Sequence, residues 1–232
     1  MINRFAPAVR ARDTEHSIVY RNNREFAGWP FISGFWVTAE GHYLVAFKKK
    51  DAAYAKPEDV HHDEVAKVGP KMVTLRSRDK GRNLDPDSLQ VLYDLSIDQE
   101  KLFSGPQDYS GEAPIDFTDP NVLVASGATP DYFRPHSRAW IRVSTDGGRA
   151  WRFLSRVNDW GAPGDIVRMA DGRIARVYGY RLPPYGLRAR LSDDDGRTWG
   201  REIILRDDGG SWDIGYPASS SASRESCSPS TI

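Results

Sequence analysis

The side chains best equipped for chemistry in this chain are a scatter of aspartates, one arginine and several tyrosines. The segment IDFTDP holds Asp116 and Asp119 three positions apart. Paired carboxylates suit hydrolysis of a glycosidic bond, where their separation decides the stereochemical route. Ahead of Pro120 the same pair also suits Asx turns, in which each side chain bonds the backbone two residues on. GDIVRMADG contributes Asp165, with the same two readings. In YGYRLPPYG, Arg181 follows Tyr178 and Tyr180 and precedes Pro183-Pro184. A rigid turn there can hold the guanidinium in place for an acidic sugar, and Tyr185 can stack on a sugar ring or fill a core. The charged run KKKDAAYAKPEDVHHDEVAKVG gathers Asp59, His61, His62 and Asp63. Adjacent HH-D lacks metal-ligand spacing, so no metal or other cofactor is expected, and the alternative to a functional loop is a solvated charged one. Late in the chain, DDGGSWDIGYP carries Asp213 and Tyr216.

The elements that must position these groups are organised by three similar octets. LSDDDGRTW contains Ser192, Asp194, Gly196, Thr198 and Trp199, a S-x-D-x-G-x-T-W frame. STDGGRAW repeats it with Ser144, Asp146, Gly148 and Trp151, and SRDKGRNL repeats it in degraded form with Ser77, Asp79, Gly81 and Leu84. An apolar strand runs into each Ser, the Asp can bond the turn's own N–H groups, Gly supplies a positive φ, and Trp begins the next strand. These aspartates are expected to be structural. A repeat at a mixed spacing of about 50 to 65 residues fits propeller blades with loop insertions better than a uniform solenoid.

The octets look like the Asp-boxes, or BNR repeats, of the sialidase (neuraminidase) superfamily. The resemblance covers most of residues 17–217. It implies an all-β, six-bladed β-propeller of which about four blades are present, with boxes at 77–84, 144–151 and 192–199 on turns away from the active site. It further implies an exo-acting glycoside hydrolase. Sialidases grip a carboxylate with three arginines, use an Asp as acid/base, and use a Tyr activated by Glu. By the resemblance, Asp63 stands for the acid/base beside His61 and His62 as substrate contacts. Asp116, Asp119 and Asp165 stand at blade starts. Arg181, Tyr185 and Asp213 stand as substrate contacts and Tyr216 as the nucleophile, in a segment resembling the D-x-GYP of BNR-repeat proteins. Gly28-Trp29-Pro30 occupies the place of the family's R-I-P, without its arginine, which favours a non-sialic substrate or pure binding. The alternative is therefore a non-catalytic carbohydrate- or protein-binding propeller, or an inactive truncated product. Convergence of Asp116, Asp119, Asp165 and Arg181 on one channel favours an enzyme; scatter favours binding.

Lys plus Arg and Asp plus Glu balance at 32 each, so no net field recruits nucleic acid or an anionic membrane. Seven Trp, ten Tyr, 20 Gly and 15 Pro suit many short strands joined by turns. No apolar run reaches membrane-span length and no leader is visible, which makes the cytoplasm the default expectation. The single Cys227 excludes a disulfide framework within the chain. Residues 1–16 read as a polar peripheral segment; SIVY (17–20), FAGWPFISGFWV and HYLVAFKK read as strands; the charged loop begins at Lys48. Residues 218–232, ASSSASRESCSPSTI after Pro217, break the pattern as a Ser-rich tail. With chosen synonymous codons the neighbouring frame reads RVVQRVAGKLFTVYY, a strand, Gly turn and strand. This predicts a frameshift and truncation near Pro217, and, through exposed blade edges, self-association.

Overall fold

A computed structural model describes residues 10, 12–28, 34–59, 70–94, 113–129, 138–158, 161, 164–215 and 217–220. His61, His62, Asp63 and Tyr216 lie outside the described residues, as does most of the segment 218–232. The described chain is all-β: antiparallel strands in three sheets. The first sheet holds β1 (Glu25–Gly28), β2 (Phe35–Val37), β3 (Tyr43–Asp51), β4 (Lys71–Ser77) and β5 (Asp85–Asp94). Here β1 and β2 share one edge of β3, at its opposite ends, and the path continues β3-β4-β5. The middle sheet is β6 (Leu123–Thr129), β7 (Arg138–Ser144) and β8 (Arg152–Asn158). The last sheet runs β9 (Gly164–Arg168), β10 (Ile174–Tyr180), β11 (Gly186–Ser192) and β12 (Ile203–Arg206) in that spatial order.

Strand alternation sends successive side chains to opposite faces, and the two faces of the middle sheet make the two halves of the core. Trp140 and Ala125 face the first sheet and pack with Met72, Leu92 and Tyr93. The Trp140 ring stacks on Tyr93 with centroids 4.6 Å apart. Ala139, Ile141 and Val143 point the other way, toward Ile166 of the last sheet, together with Leu154 and Val157. The octets join β4 to β5, β7 to β8 and β11 to β12, so all three lie at one end of their sheets.

Several sequence expectations change. SIVY is not a strand: residues 17–20 cross the outer face of the first sheet without a ladder, Tyr20 resting 5.4 Å from Phe47 and the Ser17 hydroxyl donating to the Gly81 carbonyl at 2.6 Å. The β-branched pattern misleads there because the burial of one aromatic, Tyr20, anchors the segment. The strand expected over FAGWPFISGFWV is two strands, β1 and β2. The charged loop starts later than Lys48, because β3 continues to Asp51 and Lys48 is buried opposite Gly28. DPDSLQVLYD forms β5, an outer strand where Pro86 costs no ladder bond.

Candidate functional site

Each octet closes on itself through the same bonds. The Ser192 hydroxyl donates to Asp194 Oδ1 at 2.8 Å while accepting from the Gly196 N–H at 2.8 Å. Asp194 Oδ1 also accepts from the Thr198 N–H at 2.8 Å. Ser144, Asp146, Gly148 and the Ala150 N–H reproduce this arrangement, as do Ser77, Asp79, Gly81 and the Asn83 N–H. Bonds from Asn83 and Ser77 hold the Asp79 carboxyl down at about 2. Burial opposes the shift at Asp146 and Asp194, yet turn bonds still bring both below the ordinary range. These carboxylates are spent on turns.

The turns also fasten sheet to sheet. Arg76 Nη2 donates to the Gly147 carbonyl at 2.6 Å, and Gly148 sits at φ +83° with its α-carbon against Leu44. One sheet on, the Ser155 hydroxyl donates to the Gly196 carbonyl at 2.5 Å and accepts from Trp199 Nε1 at 3.0 Å.

Asp116 and Asp119 precede β6, the first strand of the middle sheet, and lie at this same end, whereas Asp165, on the first strand of the last sheet, lies toward the opposite end. Leu123, opening β6 just after them, pairs with Ser144, the first residue of the second octet. Asp116 accepts from the Thr118 N–H at 2.9 Å and hydroxyl at 2.6 Å. Asp119 accepts from the Asn121 N–H at 2.8 Å. The Thr118 bonds, hydroxyl first, hold Asp116 below the usual carboxylate range, so it stays ionised near neutrality and cannot serve as a proton donor there. The nearby cavity of about 80 Å³ is lined largely by Phe117, Val124, Ile141, Leu154, Ile166 and Ile174. It offers the polar groups of a binding site only at its Arg168–Asp195 margin.

At the opposite end the last sheet assembles a different set. β10 runs from Ile174, opposite Ser192, to Tyr180, opposite Gly186, and so delivers Arg181 and Tyr185 to the end remote from the octets. The intervening turn is pinned by Arg188, which is 3% exposed and donates to the Pro184 carbonyl at 3.2 Å and the Arg206 carbonyl at 2.5 Å. Its guanidinium lies 4.5 Å over the Tyr180 ring. Arg181 donates from Nη1 to the Trp212 carbonyl at 3.0 Å, lies 5.6 Å from the Trp212 ring centroid, and is 3.6 Å from Asp213 Oδ1. The Gly209 N–H donates to the Tyr185 carbonyl at 2.9 Å, tying the same two segments together. Trp212 is 48% exposed. Arg181, Tyr185 and Asp213 are thus brought together, and Trp212 joins them unforeseen, its signal being only an aromatic one residue before Asp213. Asp165 points from β9 beside Val177 and accepts from the Ser219 N–H at 2.6 Å.

Two further groups escaped the sequence. Arg176 is 1% exposed, its Nε and Nη1 have no hydrogen-bond partner among the described residues, and burial lowers its pKa to about 10. The Tyr178 hydroxyl donates to Glu202 Oε2 at 2.6 Å, and burial first, then Glu202, pushes its pKa up to about 12. That shift opposes phenolate formation, and at 0% exposure the ring is out of a substrate's reach. Among the described residues no group of three His, Cys, Asp or Glu side chains is placed to hold a metal ion.

No family model and no curated protein matches the chain. Solved structures of similar shape include a protein of unknown function from Dyadobacter fermentans, at 18% identity over 77% of this chain and 65% of that one, with a TM-score of 0.34. An alpha-L-arabinanase from Penicillium chrysogenum, complexed with arabinobiose, aligns at 14% identity over 73% of this chain and 47% of that one, TM-score 0.46. A Hadza microbial sialidase aligns at 16% identity over 74% of this chain and 37% of that one, TM-score 0.45. The chain spans less than two thirds of each of them, and the likeness is one of backbone shape.

Proposed function

We propose that this chain is a carbohydrate-binding protein of sialidase-like propeller type, contacting sugar at the end of the last sheet remote from the octets. The observation that supports this reading is the Arg181–Trp212–Asp213 group. A half-exposed indole offers a stacking face for a pyranose ring, and beside it a held guanidinium and an exposed carboxylate can bond hydroxyls or an acidic substituent. Binding is favoured over cleavage because the carboxylates scatter: Asp116 and Asp119 are occupied by turns at the far end. Titration of the full chain with N-acetylneuraminate, a uronic acid and a neutral disaccharide, followed calorimetrically, tests it. Trp212→Ala is expected to weaken sugar binding about tenfold, equivalent to ~1.4 kcal/mol. Unchanged affinity in that variant, or no heat with any of the sugars, counts against it.

Glycoside hydrolysis is the second reading, favoured by one observation: Asp165 and Arg181 both stand toward the same end of the last sheet. It assigns Asp63 as acid/base and Tyr216 as nucleophile, with His61 and His62 contacting substrate. Release of a chromogenic aglycone that is lost in both Asp63→Asn and Tyr216→Phe selects this reading.

A further inference from the structure

Buried polar groups of folded proteins are nearly always hydrogen-bonded, and one that is not calls for a water or an ion. The last sheet turns such a group toward the middle sheet. Arg176, on β10, is 1% exposed, and among the described residues its Nε and Nη1 have no hydrogen-bond partner and no carboxylate pairs with it. Gly164 of β9 gives the side chain its room, since a β-carbon there would come within 3.1 Å of Arg176 Nε. The register partner of Arg176 across β11 is Arg190. Two guanidinium groups therefore leave one face of the sheet directly opposite each other, an arrangement that destabilises a ladder. Arg190 commits Nη1 to the Gly200 carbonyl at 2.8 Å and buries an Nε with no acceptor among the described residues. Arg188, two residues along on the same face, adds a third positive charge.

Negative charge on this face comes from Glu202, which is occupied by the Tyr178 hydroxyl at 2.6 Å and lies 3.7 Å from Arg188 Nε. Asp165 leaves β9 opposite Val177, on the other face, and accepts from the Ser219 N–H. Burial outweighs its attraction for Arg176. The facing sheet supplies a donor instead of an acceptor. Asn158 stands in register with Ala139, which packs toward the last sheet, and its 4% exposed side chain has an Nδ2 without a partner among the described residues. Water satisfies an N–H group but leaves a buried charge uncompensated, whereas an anion does both. We propose that the Arg176 guanidinium holds one halide-sized anion between the middle and last sheets, in a lining to which Arg190 and Asn158 add charge and donors. A guanidinium so fully enclosed is out of reach of a sugar or a bulky organic acid, so this site is separate from the one at Arg181.

Thermal melts of the full chain in sodium chloride and in sodium gluconate of equal ionic strength test this. A ligand that binds the folded state alone stabilises it in proportion to the logarithm of its concentration above Kd. Each tenfold of chloride above Kd is therefore expected to raise Tm by about 3–6 °C, bromide is expected to replace chloride, and gluconate is too large to do so. Arg176→Met keeps the length of the side chain and removes its charge. It is expected to melt no lower than the wild type in gluconate and to lose the chloride-specific rise, a difference between two proteins in which general salt effects cancel. A wild type that responds alike to chloride and gluconate overturns the proposal, as does a chloride-specific rise that survives in Arg176→Met. If that variant does not fold, anomalous scattering from bromide-soaked crystals of the wild type decides: the site requires a peak beside the Arg176 guanidinium, and none there overturns it.

Discussion

Asp79, Asp146 and Asp194 show how a carboxylate is taken out of chemistry by its neighbours. Each lies two residues from a serine hydroxyl and a few from the N–H groups it accepts, so the turn stabilises the ionised form. A folded-state pKa below the unfolded value near 3.9 contributes stability above that value, and the contribution drains away as pH falls through the folded pKa. For Asp79 that window runs from about pH 4 down to about 2. The urea midpoint of the wild type should therefore fall across this window. Asp79→Asn should start lower at pH 5 and fall less steeply; parallel curves would show that the turn bonds do not depend on charge. At Asp194, partly shielded and bonded by Ser192, Thr198 and the Arg197 N–H, truncation to Ala should cost about 1–3 kcal/mol in urea unfolding at pH 7. The aspartates of IDFTDP obey the same local logic, which is why the alternative of Asx turns could be read from Pro120 and spacing alone.

Where strands meet, similar octets differ in what their aromatic does. Trp199 donates its indole N–H to Ser155, while Trp151 buries an indole N–H with no acceptor among the described residues. Trp199→Phe should therefore cost about 1–2 kcal/mol. Trp151→Phe should be close to neutral, because it removes a buried donor that nothing satisfies. Equal losses in chemical denaturation would mean that ring area, not the bond, decides. The octet turns were legible because all their partners lie within eight residues, and the strands feeding them were legible from alternation. β5 and the true end of β3 were not, since ladder pairing, with β4 in the one case and with β1 and β4 in the other, overrode their charge and proline content. The Arg181 turn was legible from Pro183-Pro184. Its contacts with Trp212 and Asp213 join residues about thirty apart, and no local pattern carries that. Tyr178 and Glu202, bridging β11 from either side, were hidden for the same reason.

Across the molecule, three sheets hold together through two interfaces that the octets lock from one end. Gly148 is the tightest point of the first interface: a β-carbon there would come within 2.4 Å of Leu44, at a φ that side chains rarely adopt. Gly148→Ala should separate the first sheet from the other two as an unfolding unit. Thermal melts followed by far-ultraviolet dichroism and by limited proteolysis of the first sheet should coincide in the wild type and diverge in the variant. Coincident melts at a lower temperature would instead mean one cooperative block. The order of the sheets was legible from the repeat, but which aspartate falls at which end was not, because the octet follows the second strand of the middle sheet and the third strand of the last, so the first strands of the two sheets run in opposite directions relative to it. The same first interface brings Trp36 from β2 against Trp151 of the second octet, with centroids 5.3 Å apart and planes inclined at 51°. Two indoles so close and so skewed share their excited states, and the coupled transitions split into a pair of bands of opposite sign. Neither sheet alone has that pair, so the first and middle sheets carry an optical signature of their own docking that no label has to supply.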